Sequence, residues 1–302
     1  MLDYRQMEAL AAVAEEGGFD RAARRLHITQ SAVSQRLRAL EDTVGQALVV
    51  RTVPARPTEA GRQLLIHFQR VRQLESDILI GLRDGADSAP AAPPTLRVAV
   101  NEDSLATWFL PVLRPFMEHH AVLLDIHAED QERTHALLRN GDVAGCVTTR
   151  PNPIQGCRCV YLGAMEYRCA ASPGFFNRWF ADGITAEGIR CAPAVTFNRN
   201  DLLHVRFAQR FGVRSGEFQT HYVPSSEAFV ALVEMGLAYG MVPHPQLLPM
   251  LQRGTLCELA PEHPVTVHLY WHQWNLGTAL LTTLTETLVA GCARILLRRM
   301  PD

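Results

Sequence analysis

The chain has 302 residues, 47% of them hydrophobic, and a formal net charge of −2. That length supports more than one packed core, and the near-neutral charge excludes a globally basic protein that holds nucleic acid by many cations alone. No apolar run is long enough to span a bilayer, and the seven cysteines have no metal-ligand spacing.

The first helix is expected over residues 3–16, with Met7, Leu10, Ala11 and Ala14 facing inward and Gly17-Gly18 ending it. The start, Met1-Leu2-Asp3-Tyr4-Arg5, lacks the basic and apolar segments of a signal peptide, so a cytoplasmic location is expected. Two short helical stripes follow. Residues 21–27 present Ala22, Ala23 and Leu26; residues 30–43 present Val33, Leu37 and Leu40, with Val44 beyond. Asp20 and Thr29 are the expected N-caps. Only His27, Ile28 and Thr29 separate the stripes, which makes the pair a helix-turn-helix. The outer face of the second helix carries Gln30, Ser31, Ser34, Gln35 and Arg38, side chains that hydrogen-bond to base edges and phosphates. Periodicity alone does not separate such a face from an ordinary solvated one.

Residues 47–51 and 53–57, the latter with two prolines, suit a two-stranded wing with a stiff tip. Arg51 and Arg56 at its ends are candidates for phosphate or minor-groove contacts. A longer helix begins after Thr58, its expected N-cap. Leu64, Phe68, Val71, Leu74, Ile78 and Leu82 form one apolar seam along it, suited to meet the same helix of a second copy. Residues 84–95 are small residues and proline without an apolar period, a hinge.

The remainder alternates strands and helices, as an α/β domain does. Strands are expected at 96–100, 122–128 and 143–148, with helices at 104–117 and 132–140 between them. A second set places strands at 167–171, 194–197, 221–223 and 239–242 and helices at 201–211 and 226–234. A strand at 265–271 and a helix at 278–298 close the chain.

In open α/β sheets, ligands bind beyond the carboxyl ends of strands, near helix N-termini. That rule selects Asn101, Glu102, Asp103 and Ser104, then Glu129 and Asp130, then Thr148 and Thr149. In the second set it selects residues 198–201, Ser225, Ser226, Glu227 and His244. The binding candidates are Asn101, Asp103, Ser104, Asp130, Thr148, Thr149, Asp201, Ser225, Glu227 and His244. Hydroxyls and amides among them suit a carboxylate, and the acids suit a cation, but helix starts favour the same residue types as caps. There is no Gly-x-Ser-x-Gly elbow, phosphate-cradling loop or His-Glu-x-x-His, so no catalytic residues, metal or cofactor are expected. Cys157 and Cys159, flanking one arginine, read as ordinary thiols.

The string Ala-Ala-Arg-Arg-Leu-His-Ile-Thr-Gln-Ser-Ala-Val-Ser-Gln-Arg-Leu-Arg-Ala-Leu-Glu resembles the N-terminal winged helix-turn-helix of LysR-type transcriptional regulators. Residues 45–51 and 57–61 continue that pattern. The run at residues 51–58, together with residues 100–108, 224–229, 242–245 and 269–272, is similar to the lysine- and arginine-responsive subgroup of that family. The chain departs from the subgroup at Pro224, where asparagine is usual, and around residues 198–203.

The resemblance implies a multidomain chain. A winged helix-turn-helix would occupy residues 1–58, a linker and dimerisation helix 59–84, and a hinge 85–95. A two-lobed α/β regulatory domain like a periplasmic binding protein would occupy 96–302, with lobe 1 at about 96–163 and 265–302 and lobe 2 at about 164–264. It further implies a homodimer or homotetramer on double-stranded operator DNA, RNA polymerase as a partner, no membrane, and L-lysine or L-arginine between the lobes. Thr29, Gln30, Ser31, Ser34, Gln35 and Arg38 would read the major groove, with Arg51 and Arg56 on the backbone. The rival expectations are a LysR-type regulator of an unrelated effector, a DNA-structuring protein of low sequence preference and, more remotely, an enzyme.

Overall fold

A computed structural model describes residues 2–83, 93, 95–129 and 131–298. The hinge expected at 85–95 falls outside the described residues apart from Pro93 and Thr95, and so does the candidate Asp130.

Three helices build the head: α1 (Tyr4–Glu16), α2 (Phe19–Leu26) and α3 (Gln30–Val44). Asp3 caps α1 by accepting from the Arg5 amide at 2.8 Å, and Gly17 ends it at φ 64°. The N-cap of α2 is Gly18 rather than Asp20, which lies within the first turn and there favours the positive end of the helix dipole. His27 takes the left-handed conformation at φ 52°, which turns the chain sharply enough for Thr29 to cap α3 through the Ala32 amide. Leu10, Leu37 and Leu40 are fully buried where the three helices cross.

The wing is short. Strands β1 (Val49–Val50) and β2 (Arg56–Pro57) pair antiparallel, and Val53 stands wholly exposed at the tip. Thr58 accepts from the Gly61 amide at 3.1 Å and so caps α4 (Glu59–Arg83). The apolar seam of α4 is divided. Leu64, Leu65 and Phe68 pack into the head, whereas Leu74 and Ile78 are exposed.

The regulatory domain holds β3 (Thr95–Asn101), α5 (Glu102–Ser104), a π turn (Leu105–Phe109), α6 (Leu110–His119), β4 (Leu123–Glu129), α7 (Gln131–Asn140) and β5 (Gly145–Thr148). Pro111 and Pro115 lack the amide that the ordinary helical ladder requires, and the π turn falls just ahead of them. Next come β6 (Cys157–Ala171), α8 (Pro173–Trp179), α9 (Ala186–Cys191), β7 (Ala194–Thr196), α10 (Leu203–Gln209) and β8 (Thr220–Tyr222). The chain ends with α11 (Ser226–Glu234), β9 (Tyr239–Pro243), α12 (His244–Arg253), β10 (Cys257–Glu258), β11 (Val265–Trp274) and α13 (Ala279–Ile295).

The strands run in the order β4-β3-β5-β11-β6-β9-β7-β8, with β10 beside β6. The two long antiparallel strands β6 and β11 are shared by both lobes. Their pairing shifts register between Leu269 and Tyr270, opposite Gly163, whose φ of 138° lies beyond the ordinary range of a side-chain-bearing residue. The first half of β6 lies beside the second half of β11, which pairs with β5 of lobe 1, and the second half of β6 pairs with β9 of lobe 2. Lobe 1 adds β4-β3-β5 and lobe 2 adds β9-β7-β8. Parallel pairing of β3 with β4 sets Asn101 opposite Glu129 at their carboxyl ends.

Candidate functional site

The outer face of α3 presents the polar row expected of it. Thr29, Gln30, Ser31, Gln35 and Arg38 are exposed, and Ser34 is half-buried. Thr29 and Ser31 hydroxyls lie 3.0 Å apart, and Gln30 Nε2 donates to Ser34 Oγ at 3.3 Å, so the first turn is braced along its own surface. Arg51 lies over the Phe19 ring, 5.4 Å from its centroid, and extends from the wing beside the start of α2. Arg56 is exposed on the facing strand. A protruding helix with polar termini and two flanking guanidinium groups is a surface that fits a DNA groove and its phosphates.

A second site lies between the lobes, a cleft of about 400 Å³. Asn101, Glu102, Asp103, Glu129 and Thr149 contribute the lobe 1 wall. The loop 197–201 and α10, through Leu203 and Arg206, contribute the opposite wall, and Thr266, Val267 and His268 of β11 cross between them. Among the described residues that line it, four carboxylates, those of Glu102, Asp103, Glu129 and Asp201, stand against one guanidinium, that of Arg206. Asn101 is buried, and its Oδ1 has no hydrogen-bond partner among the described residues.

The acids have different surroundings. Asp103 Oδ2 accepts from the Tyr167 hydroxyl at 2.8 Å. Desolvation raises its pKa above the ordinary carboxylate value, against hydrogen bonds from Ser226 and Tyr167, while Asp201 adds to the rise. Glu102 is also raised, by desolvation first and then by Asp103, Glu227 and Glu129. Both are acids whose charged form the protein disfavours. Asp201 is tied to its own loop: its two oxygens accept from the Phe197 amide at 3.1 Å and the Leu203 amide at 2.9 Å. It accepts from the first amide of α10 and lines the cleft at once.

The strand-end rule thus brings Asn101, Asp103, Thr149 and Asp201 together. Other candidates stand outside the lining. Thr148 is buried within the sheet and accepts from the Arg150 amide. Ser104 is buried at the junction with the π turn. Ser225 caps α11 through the Ala228 amide, Glu227 is exposed in its first turn, and His244 opens α12. Of these, Ser225 is occupied as a helix cap, while Thr148 and Ser104 are buried away from the cleft. Arg206 stands one turn into α10 and residues 266–268 lie near the start of a strand that crosses between the lobes, so the rule passes over them, and it passes over Leu203 because that residue is apolar.

A winged helix-turn-helix head on a long helix, followed by two lobes with a polar cleft, defines a ligand-responsive DNA-binding regulator. The head matches the bacterial regulatory helix-turn-helix protein, lysR family, over residues 4–62, and residues 91–293 match the LysR substrate binding domain. The chain belongs to the LysR family of transcriptional regulators. Among its relatives, the HTH-type transcriptional regulator ArgP of Pseudomonas fluorescens (strain Pf0-1) is 46% identical over 97% of this chain and 98% of that protein. The crystal structure of ArgP from Mycobacterium tuberculosis is 40% identical, covers 99% of this chain and 100% of its own, and superposes with a TM-score of 0.86. Full-length LysG from Corynebacterium glutamicum with bound effector Arg is 34% identical over 98% of this chain and 100% of its own, with a TM-score of 0.77. Among the described residues no helix is long and apolar enough to cross a membrane.

Proposed function

We propose that this regulator responds to a basic amino acid, L-lysine or L-arginine, held between the lobes, and that it controls genes of lysine or arginine transport or metabolism. The observation that carries this reading is the acidic excess among the described residues lining the cleft, four carboxylates against one guanidinium. Glu102 and Asp103 have raised pKa values because they are desolvated among like charges, and a bound cation relieves both. Glu102, Asp103 and Glu129 are the partners for the cationic groups. Arg206, with Asn101 and Thr149, is the partner for the α-carboxylate, and Asp201 holds the loop that faces them. The relative that holds Arg as effector supports the ligand class.

In this reading Thr29, Gln30, Ser31, Ser34, Gln35 and Arg38 enter the major groove and Arg51 and Arg56 hold the backbone. The exposed Leu74 and Ile78 of α4 meet a second copy, giving a homodimer or a homotetramer on a two-fold operator. Effector binding changes the angle between lobes, hence the spacing of the heads and the recruitment of RNA polymerase.

Calorimetric titration of the full chain with L-lysine, L-arginine, norleucine and cadaverine tests the proposal. Saturable binding of lysine or arginine is expected. Norleucine lacks the distal cation and cadaverine the carboxylate, so both should bind at least about tenfold more weakly. Equal binding of norleucine would overturn the assignment of a basic effector.

A further inference from the structure

The charge that joins the parts of this chain lies away from both sites. Arg97 is on β3, the strand that ends at Asn101 in the cleft, and it faces the head of its own chain. Its Nη1 donates to Glu15 Oε1 at 3.3 Å, and its Nε pairs with Asp125 Oδ2 of β4 at 3.2 Å. Glu15, in the last turn of α1, is also paired with Arg25 of α2 and accepts from Gln69 Nε2 of α4 at 3.2 Å. Head, linker helix and regulatory domain therefore converge on one carboxylate.

The regulatory domain is seated on α4 beside this point. Asp77 of α4 accepts from the Ala279 amide at 2.9 Å and the Leu280 amide at 3.2 Å, so it caps the first turn of α13 from across the chain. Arg70 lies over the Trp274 ring at 5.9 Å. Gly141, with φ 85°, lies so close to Ile66 that a Cβ would stand 2.8 Å from it. Ile66, Arg70 and Asp77 share one face of α4, and Leu74 and Ile78 lie roughly a quarter turn round from it, where both stay exposed while the domain is seated.

What distinguishes the Glu15–Arg97 contact is that each partner has a second one. When the head moves away, Glu15 keeps Arg25 and Arg97 keeps Asp125, so neither charge is stranded and separation costs little. Both side chains are partly exposed, 27% and 34%, so solvent reaches the gap as it opens. A fully buried pair would leave an uncompensated charge on parting, and would be fixed rather than reversible. Between Arg97 and the cleft runs a stiff path. β3 is paired with β4 from Thr95 to Asn101 and with β5 at Val98 and Ala99, and Val98, Ala99 and Val100 are buried.

We propose that the Glu15–Arg97 pair is a releasable joint between the DNA-binding head and lobe 1 of the same chain, which carries the state of the cleft to the head through β3. The joint stands on its own geometry, and its link to a bound amino acid rests on the function proposed above. Spatial connection alone does not establish coupling, so the test measures both parts.

The full chain is prepared with Arg97→Ala, Glu15→Ala and both together, each checked for native far-UV circular dichroism. Hydrogen exchange is followed without effector at the last turn of α1 and at the Ala279 and Leu280 amides, whose bonds to Asp77 exist while α4 is seated. Each single variant should exchange about threefold faster or more at these positions, the double variant no faster than either, and the difference should shrink in high salt. Unchanged exchange, or additive effects of the two substitutions, overturns the joint. Operator affinity is then measured with and without L-lysine and L-arginine, on a fragment selected from random DNA. The ratio should fall toward one in all three variants, with effector affinity within about twofold of the parent chain. A ratio that stays at the parent value overturns the coupling. Failure of the parent chain to bind either amino acid sinks the effector reading instead, and the exchange data then decide the joint by themselves.

Discussion

At the scale of single residues, the two sites use polar groups in opposite ways. On α3 they are exposed apart from the half-buried Ser34, and the bonds between Thr29 and Ser31 and between Gln30 and Ser34 are available to be exchanged for base edges. Replacing Gln35 by alanine is expected to weaken operator binding by about 1–3 kcal/mol if it contacts a base, and replacing Arg51 to lower the salt dependence by about one counterion. Titration of operator DNA at several salt concentrations separates the two, and an unaltered affinity for the Gln35 variant would remove it from the readout face. In the cleft the polar groups are desolvated and of like charge, so they oppose stability in favour of a ligand. Asp103 shows the sign. Its folded pKa lies above the unfolded value of about 3.9. Its ionisation therefore costs stability at neutral pH, and the cost disappears as pH falls below the unfolded pKa. Asp103→Asn keeps an acceptor for the Tyr167 hydroxyl and removes the charge. Its melting temperature at pH 7 should exceed that of the parent chain, the gain should vanish near pH 3.5, and lysine should bind more weakly. A variant less stable at pH 7 would show that the carboxylate contributes more through its hydrogen bonds than it loses through desolvation.

At the scale of elements, the head was the most legible part of the sequence because caps and stripes agree there. Gly17, Thr29 and Thr58 stand at the helix ends the sequence assigns to them, Asp20 falls inside the first turn of α2 instead of capping it, and each stripe faces the core its period assigns. Thr29→Ala removes the side-chain bond to the Ala32 amide, and should lower the stability of the head by about 1 kcal/mol in chemical denaturation. Loss of stability below about 0.3 kcal/mol would mean that water replaces the cap in full. The linker helix was legible in period but not in partition. Sequence shows one seam, and only the fold shows that Leu64 and Phe68 close the head while Leu74 and Ile78 remain exposed. Ile78→Asp should therefore leave the fold of a single chain intact and shift the oligomer toward smaller species in sedimentation. The first half of β6 escaped the sequence reading for a different reason. That strand passes from one lobe to the other, so its two faces meet different neighbours along its length and the alternation of burial is lost. Helix α12 was hidden by Pro245 and Pro249, although a proline in the first turn replaces only an amide that has no helical partner. The rule of strand ends found most of the polar lining of the cleft. Arg206 and His268 lie beyond its reach, since it locates the starts of helices and not their second turns or a strand passing beneath.

At the scale of the whole molecule, the sharing of β6 and β11 means that neither lobe unfolds without disturbing the other. A titrating group in one lobe then governs both. His204 of α10 is buried in lobe 2 among Phe207, Phe218 and Tyr239, with ring centroids at 6.2, 4.8 and 4.9 Å. Its Nε2 lies 3.2 Å from the Tyr239 hydroxyl, which itself donates to the Ile189 carbonyl. Desolvation lowers its pKa to about 4. The folded state thus holds this ring neutral while the unfolded chain protonates it near pH 6.5. Its contribution is complete above pH 6.5 and is lost as pH falls toward 4, by roughly 2 kcal/mol at pH 5. Phe at this position keeps the aromatic packing and the Tyr239–Ile189 bond but cannot take up a proton. His204→Phe should therefore retain more of its pH 7 stability at pH 5 than the parent chain does, in urea unfolding followed by tryptophan fluorescence. The four tryptophans, at positions 108, 179, 271 and 274, sample both lobes, so a shared transition should move at all of them together. Equal acid sensitivity of the two proteins would place the loss elsewhere, at the ion pairs of Glu15, whose lowered pKa makes its contribution fade at still lower pH. The two cases differ in where the loss begins. A histidine acts from pH 6.5 downward, a paired carboxylate only as the pH approaches the ordinary carboxylate range, so the onset of the curve assigns the group.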